Sequence, residues 1–264
     1  SFPIGKGLSD EYTGSLKSFP HYLIAGETGT GKSTFVRMAI EVLLANNELL
    51  EVVFLDFKGG IEAESFRENP RVRIVSEFPL AAEIIAEMDA VLSTRNDAIS
   101  GNGRNIDDFN RKQSDWNKKL KRILIVVDEA SELIPKIGGQ NHKDLTTIAR
   151  ALSRIARMGR AAGLHLMIGV QKPDQKNLDP TIKANLGGVV CFAVSHPIQS
   201  MVVLGDGRAA EINSSIRGRA IWKYGAFSEE VQTPLLNESQ VRLAKTKAQE
   251  YWGKQRQINS GFEK

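Results

Sequence analysis

A single cysteine among 264 residues removes two classes of protein at once, the disulfide-stapled secreted scaffold and the cysteine-rich metal domain. Cys191 lies in the apolar run VVCFAV, so it reads as a buried strand residue in a protein of the reducing cytoplasm. No apolar stretch approaches the roughly 18 residues needed to cross a bilayer, and the N-terminus carries no apolar signal core. Charge of one sign is scarce too: 35 Lys and Arg against 31 Asp and Glu leave a net charge of +4. That balance permits an anionic partner without diagnosing one. The four histidines, His21, His142, His165 and His196, are scattered without metal-ligand spacing. No Ser-His-Asp or Cys-His arrangement supports nucleophilic catalysis.

What is present is an ordinary globular composition, 41% hydrophobic and 25% charged, in a length that suits one principal domain. Helical and extended patterns alternate from about residue 21 to residue 233, the mark of an α/β sheet with crossover helices. Strands are expected at His21 to Ala25, Val52 to Phe57, Val72 to Val75, Arg122 to Val127, Leu164 to Val170, Gly188 to Ser195 and Ala220 to Tyr224. Helices are expected at Thr34 to Ala45, through the stripe Leu80, Ile84, Met88 and Val91, and at His142 to Ala162. Asn105 to Lys121 reads as a solvated surface helix. The chain then divides into a lead-in at 1–20, an α/β core at 21–237 and a charged helical tail at 238–264.

The most specific local signal is Gly26-Glu27-Thr28-Gly29-Thr30-Gly31-Lys32-Ser33, which fits GxxxxGKS between an apolar strand and an amphipathic helix. Its glycines let successive amides converge on phosphate oxygens at a helix start, where the dipole also favours anions. Lys32 would neutralise the β- and γ-phosphates of ATP, and Ser33 would give Mg²⁺ a hydroxyl ligand, with Thr34 a weaker candidate. A second buried strand ends in Asp128-Glu129. Asp128 is expected to hold the magnesium through water, and Glu129 to polarise the attacking water. Gln171, at the end of another strand, stands where a γ-phosphate sensor would stand. Arg154, Arg157 and Arg160 recur every third residue on the preceding helix, and the pattern alone selects none of them.

These motifs together resemble the FtsK/SpoIIIE motor family of the HerA-FtsK group. The likeness is carried by PIGKGLS, FPHYLIAGETGTGKS, FLDFKGG, LIVVDEASEL, RIARMGRAAGLHLMIGVQKPD and IKANLGGVVCFAV. It implies a RecA-like P-loop core, with a mainly parallel sheet flanked by helices on both faces. It implies the nucleotide and metal roles for Lys32, Ser33 and Asp128, the acidic role for Glu129 and the sensor role for Gln171. It also singles out Arg160 as a finger reaching a neighbouring subunit. The family's members form rings, hexamers by expectation, that pull double-stranded DNA, for chromosome segregation or conjugative transfer. Loops at 135–143 and 172–183, with Lys172 and Lys176 foremost, would then track phosphates. DFKGG and RIARxGR are shared with protein-secretion ATPases of the type VII kind, the alternative cargo class. Any membrane or secretion partner is expected to act through segments outside this chain.

Overall fold

The computed structural model describes residues 1–59, 61–135, 139–174 and 179–235. The strands are β1 (Phe2–Lys6), β2 (Glu11–Gly14), β3 (His21–Ala25), β4 (Leu50–Leu55), β5 (Val72–Val75), β6 (Arg122–Val127), β7 (Leu164–Val170), β8 (Gly188–Phe192), β9 (Arg219–Tyr224) and β10 (Phe227–Gln232). The helices are α1 (Lys32–Asn46), α2 (Ile61–Glu64), α3 (Phe78–Ile99), α4 (Ile106–Lys112), α5 (His142–Ala162), α6 (Pro180–Asn185) and α7 (Pro197–Leu204). All ten strands join one sheet in the order β2-β1-β10-β9-β8-β3-β7-β6-β4-β5. From β8 to β5 every pairing is parallel, and from β8 outward through β9, β10, β1 and β2 every pairing is antiparallel.

Alternation along the central strands explains why both faces are covered. Ile123, Ile125 and Val127 of β6 point into one cluster, with Leu145, Ile148, Leu152 and Ile155 of α5 and Ile84, Ile85 and Leu92 of α3. Leu124 and Val126 point into the other, with Phe35, Ile40 and Leu43 of α1. A strand buried on both sides has no polar face, which is why RILIVV and LHLMIGV read as nearly continuous apolar runs. The parallel register aligns the C-terminal ends of β3, β6 and β7 at one edge of the sheet.

Several regions differ from the sequence-based expectation, among them β10, which no expected strand covered. The lead-in at 1–20 contributes β1 and β2, whose Phe2 and Ile4 are buried beside Tyr22, Phe35 and Trp222. The expected helix over Asn105 to Lys121 is instead α4 followed by a 3-10 turn at Trp116–Lys118. Two interactions break it. The Asp115 carboxylate caps the turn by accepting from the Asn117 N–H, and the Asn110 side chain pairs with both backbone groups of Leu120 at 2.8 Å, folding the chain back toward β6. The segment is also tied to the core, because Asp107 binds Arg122 of β6 at 2.7 Å and Lys17 at 3.1 Å.

Arg122 leads to a buried histidine pair. Its guanidinium donates to Nε2 of His165 at 2.9 Å, so Nδ1 carries the proton and donates to the Pro20 carbonyl at 3.1 Å. His21 Nδ1 accepts from the Leu166 amide at 3.0 Å, fixing the other tautomer there. Burial, reinforced by the Arg122 charge, pushes His165 down to about 3, and burial alone pushes His21 down to about 4. Both rings are therefore neutral when folded and take up protons on unfolding below the ordinary histidine range. Stability is full above about pH 6.5 and falls as the pH drops toward 4. Between pH 7.5 and 5.5 each ring should cost about 1.4 kcal/mol, nearly 3 kcal/mol for the pair. Urea unfolding at the two pH values checks this, and in His165→Gln the acid loss should shrink by about half of that amount.

Candidate nucleotide site

The loop between β3 and α1 is built from the backbone outward. Gly26, Glu27 and Thr30 use their amides on Val170, Ala193 and Glu27 carbonyls, which fixes the path of the loop. Gly26, Gly29 and Gly31 all have positive φ, and Gly31 at 117° forms the N-cap of α1 without any side-chain cap. No acidic residue occupies the first turn of α1. The helix start thus presents the Lys32, Ser33 and Thr34 amides without a competing carboxylate, an arrangement suited to an anion.

Two loop side chains brace rather than face outward. Thr30 Oγ1 donates to the Glu27 carbonyl at 2.7 Å, while the Glu27 carboxylate accepts from the amide of Ser195 at 3.0 Å and from its hydroxyl. On the far side, the Gly218 amide donates to the Thr30 carbonyl at 2.8 Å and ties the loop to the start of β9. The brace at Ser195 was invisible in the sequence, since 168 residues separate the partners.

Lys32 is 4% exposed, with Nζ 3.0 Å from the Asp128 carbonyl oxygen and 3.7 Å from its carboxylate. A buried ammonium in contact with a carboxylate end of β6 is poised to receive phosphate charge. The close approach depends on Gly169, where an added Cβ would collide with the Asp128 carbonyl. Ser33, half-buried in the first turn of α1, and Asp128 are both hard-oxygen donors, the chemistry that suits Mg²⁺.

Glu129, 3% exposed, takes donors on both oxygens. Ser131 Oγ and N lie 3.0 and 3.4 Å from Oε1, and the Gln171 amide lies 2.9 Å from Oε2. Lys58, from the loop after β4, places Nζ 3.4 Å from the same Oε2 and 3.1 Å from Oε1 of Gln171. Asp128 thus meets Lys32, while Glu129 and Gln171 meet each other and Lys58, a residue given no role from sequence. The run FLDFKGG was the available signal.

Arg160 is not in this cluster. It lies exposed in the last turn of α5, just before β7 begins, whereas Gln171 follows the end of β7. Seven strand residues separate the two levels, roughly 20 Å at about 3.3 Å per residue. Arg154 is bound internally to Asp89 at 2.8 Å and Ser93 at 2.9 Å, linking α5 to α3. Arg157 is exposed beside Arg160. Lys172 is exposed at the start of its loop, while Lys136, Lys176 and the tail at 238–264 lie outside the described residues.

A phosphate-binding loop after one strand, and acids after a second separated from it by an intervening strand, define a RecA-like P-loop ATPase core. Within that class the chain belongs to the FtsK/SpoIIIE family, whose sequence model matches residues 3–175. The DNA translocase FtsK of Sporosarcina ureae is 31% identical over 222 residues, which are 78% of this chain and 27% of that protein. FtsK of Staphylococcus aureus Mu50 is 30% identical over 222 residues, 79% of this chain and again 27% of the relative. The chain therefore spans little more than a quarter of these relatives. Among solved structures, the pCW3 conjugation coupling protein TcpA in its monomer form with ATPγS superposes with a TM-score of 0.85. It is 28% identical, with 94% of this chain and 70% of that one covered. The cytoplasmic domain of the Thermomonospora curvata type VII secretion ATPase EccC shares the fold, with a TM-score of 0.73 at 23% identity over 92% of this chain and 30% of that one. Among the described residues, no helix is long and apolar enough to cross a membrane.

Proposed function

We propose that this chain is the ATP-hydrolysing core of a double-stranded DNA translocase that works as a ring. The observation that carries the hydrolytic part is the buried Glu129 directly after Asp128, within one hydrogen-bonded cluster with Lys58 and Gln171. The DNA part rests on relatives named as DNA translocases that align with about four-fifths of the chain, and on a conjugation coupling protein of the same fold.

In this reading the amides of Thr28, Gly29 and Gly31 to Thr34 cradle the triphosphate while those of Gly26, Glu27 and Thr30 hold the loop's path, and Lys32 leaves the Asp128 carbonyl to neutralise the β- and γ-phosphates. Ser33 and Asp128 would hold Mg²⁺, which supplies charge neutralisation on the phosphate oxygens when bound. Glu129 accepts a proton from the attacking water, and the Gln171 side chain contacts the γ-phosphate. Arg160, about a strand's length from its own loop, serves the site of the adjoining subunit, so the ring is the active form. Lys172 and Lys176 contact backbone phosphates, which a motor must hold without reading bases.

The test is ATP turnover with and without long duplex DNA at protein concentrations that support assembly. Duplex DNA should raise turnover about tenfold or more, and the stimulation should fall steeply between about 50 and 200 mM salt. Turnover indifferent to DNA but raised by a secreted peptide would overturn the DNA cargo and favour secretion. Absence of turnover under every condition would remove the motor reading altogether.

A further inference from the structure

We propose that Lys58 is a latch on Glu129 that closes in the empty site and opens when the γ-phosphate of a triphosphate draws the ammonium away. The inference rests on the nucleotide reading above and starts from a count of lone pairs. A carboxylate offers about four acceptor positions. At Glu129, four donors address it: Ser131 Oγ at 3.0 Å, Ser131 N at 3.4 Å, the Gln171 amide at 2.9 Å and Lys58 Nζ at 3.4 Å. A carboxylate engaged in this way has no position left for the proton of an attacking water. One donor has to leave before Glu129 can serve as a base.

Of the four, Lys58 is the donor that an arriving anion can draw away. Ser131 is two residues from Glu129 in the same 3-10 turn, and the Gln171 amide is part of the backbone at the end of β7. Lys58 approaches from a different strand end on a flexible four-carbon stem, is 34% exposed, and holds the longest contact to Oε2. It also holds Oε1 of Gln171 at 3.1 Å, so one ammonium restrains both the base and the residue assigned to the γ-phosphate. An arriving phosphate dianion offers that ammonium a stronger partner than a carboxylate already shared among four donors. A diphosphate lacks the third phosphate and would leave the latch closed. Lys58 is therefore a positioning residue that couples release of the base to the presence of the third phosphate, and its two contacts compete.

Competition of this kind has a thermodynamic signature. Removing the Glu129 charge frees Lys58, so triphosphate binding tightens, and it tightens only if Lys58 is there to be freed. The experiment is equilibrium binding of ATPγS and of ADP to the full chain, as wild type, Glu129→Gln, Lys58→Ala and the double variant. We expect Glu129→Gln to raise ATPγS affinity about tenfold, and Lys58→Ala to lower it about tenfold, with ADP affinity unchanged within about twofold. In the Lys58→Ala background, Glu129→Gln should then do nothing, and Lys58→Arg should restore most of the coupling. If Glu129→Gln tightens ATPγS equally with and without Lys58, the gain is simple relief of charge repulsion and the latch is wrong. Equal loss of ADP and ATPγS affinity in Lys58→Ala would mark a merely structural lysine. Thermal unfolding of each variant guards against misfolding, and Lys58→Gln, which keeps the stem, repeats the cycle if Lys58→Ala proves unstable. Wild-type protein that binds neither nucleotide would bring down the site reading itself, a result distinct from binding without coupling.

Discussion

Glu129→Gln should abolish steady-state ATP hydrolysis, by about 100-fold or more, while nucleotide binding survives. The substitution keeps the side chain's length in a pocket where the residue is 3% exposed, and its one remaining oxygen can still accept from one of the two sides, the Ser131 donors or the Gln171 amide. What disappears is the basic lone pair, and with it a carboxylate in contact with both Lys58 and the Gln171 backbone. ATP is then held without turnover. Single-turnover hydrolysis under saturating enzyme separates this outcome from a binding defect, because a binding defect is relieved by concentration and a lost base is not. Turnover comparable to wild type would remove Glu129 from the role of base.

The parallel half of the sheet was legible because burial on both faces writes itself into sequence. RILIVV and LHLMIGV are strands whatever surrounds them, and the ends of β3, β5, β6 and β7 match the expected limits. Of the strands with only antiparallel neighbours, β9 alone was, expected at Ala220 to Tyr224 and found at Arg219–Tyr224. FPIGK, EYTG and FSEEVQ are short, interrupted by Pro or Gly or by paired glutamates, and acquire their strand character from pairing. The contact between Lys6 and Gln232 joins opposite ends of the chain, a relation no local pattern reports. Asn105 to Lys121 failed for a different reason: Asn110 and Asp115 compete with the helix by binding backbone groups outside it, as short polar side chains do.

The site divides along the same line. Residues that act through a local backbone motif, Gly26 to Ser33, and those that end an apolar strand, Asp128, Glu129 and Gln171, could be named from spacing. Lys58 could not, since its contact with Glu129 bridges 71 positions and follows from the register Leu55 to Val127 between β4 and β6, which sets the two strand ends side by side. The Glu27 side chain shows the converse limit. The loop motif placed Glu27 in the phosphate loop without a role for its side chain, whose carboxylate is committed to Ser195 and steadies the loop.

Lys32→Ala and Arg160→Ala should each silence the protein alone and restore part of its activity when mixed. Lys32 brings a buried ammonium to the loop, and losing its charge-assisted bonds should weaken ATP binding about 10- to 100-fold. Hydrolysis should fall further, because the developing charge on the transferred phosphoryl group loses the same partner. Arg160 stands at the opposite end of β7 from Gln171, so within one subunit its removal leaves the loop intact and ATP affinity within a few-fold of wild type. In the proposed head-to-tail ring each loop would meet a neighbour's arginine. At equal mixing, about one interface in four then joins an Arg160→Ala loop to a Lys32→Ala neighbour, and that interface has every group it needs. Turnover should recover to about a quarter of wild type if interfaces fire independently. Each variant alone stays silent because every interface repeats the same defect. Mixed rings shown to co-assemble yet remaining inactive would place the phosphate-stabilising arginine elsewhere, with exposed Arg157 on the same helix the first alternative to substitute.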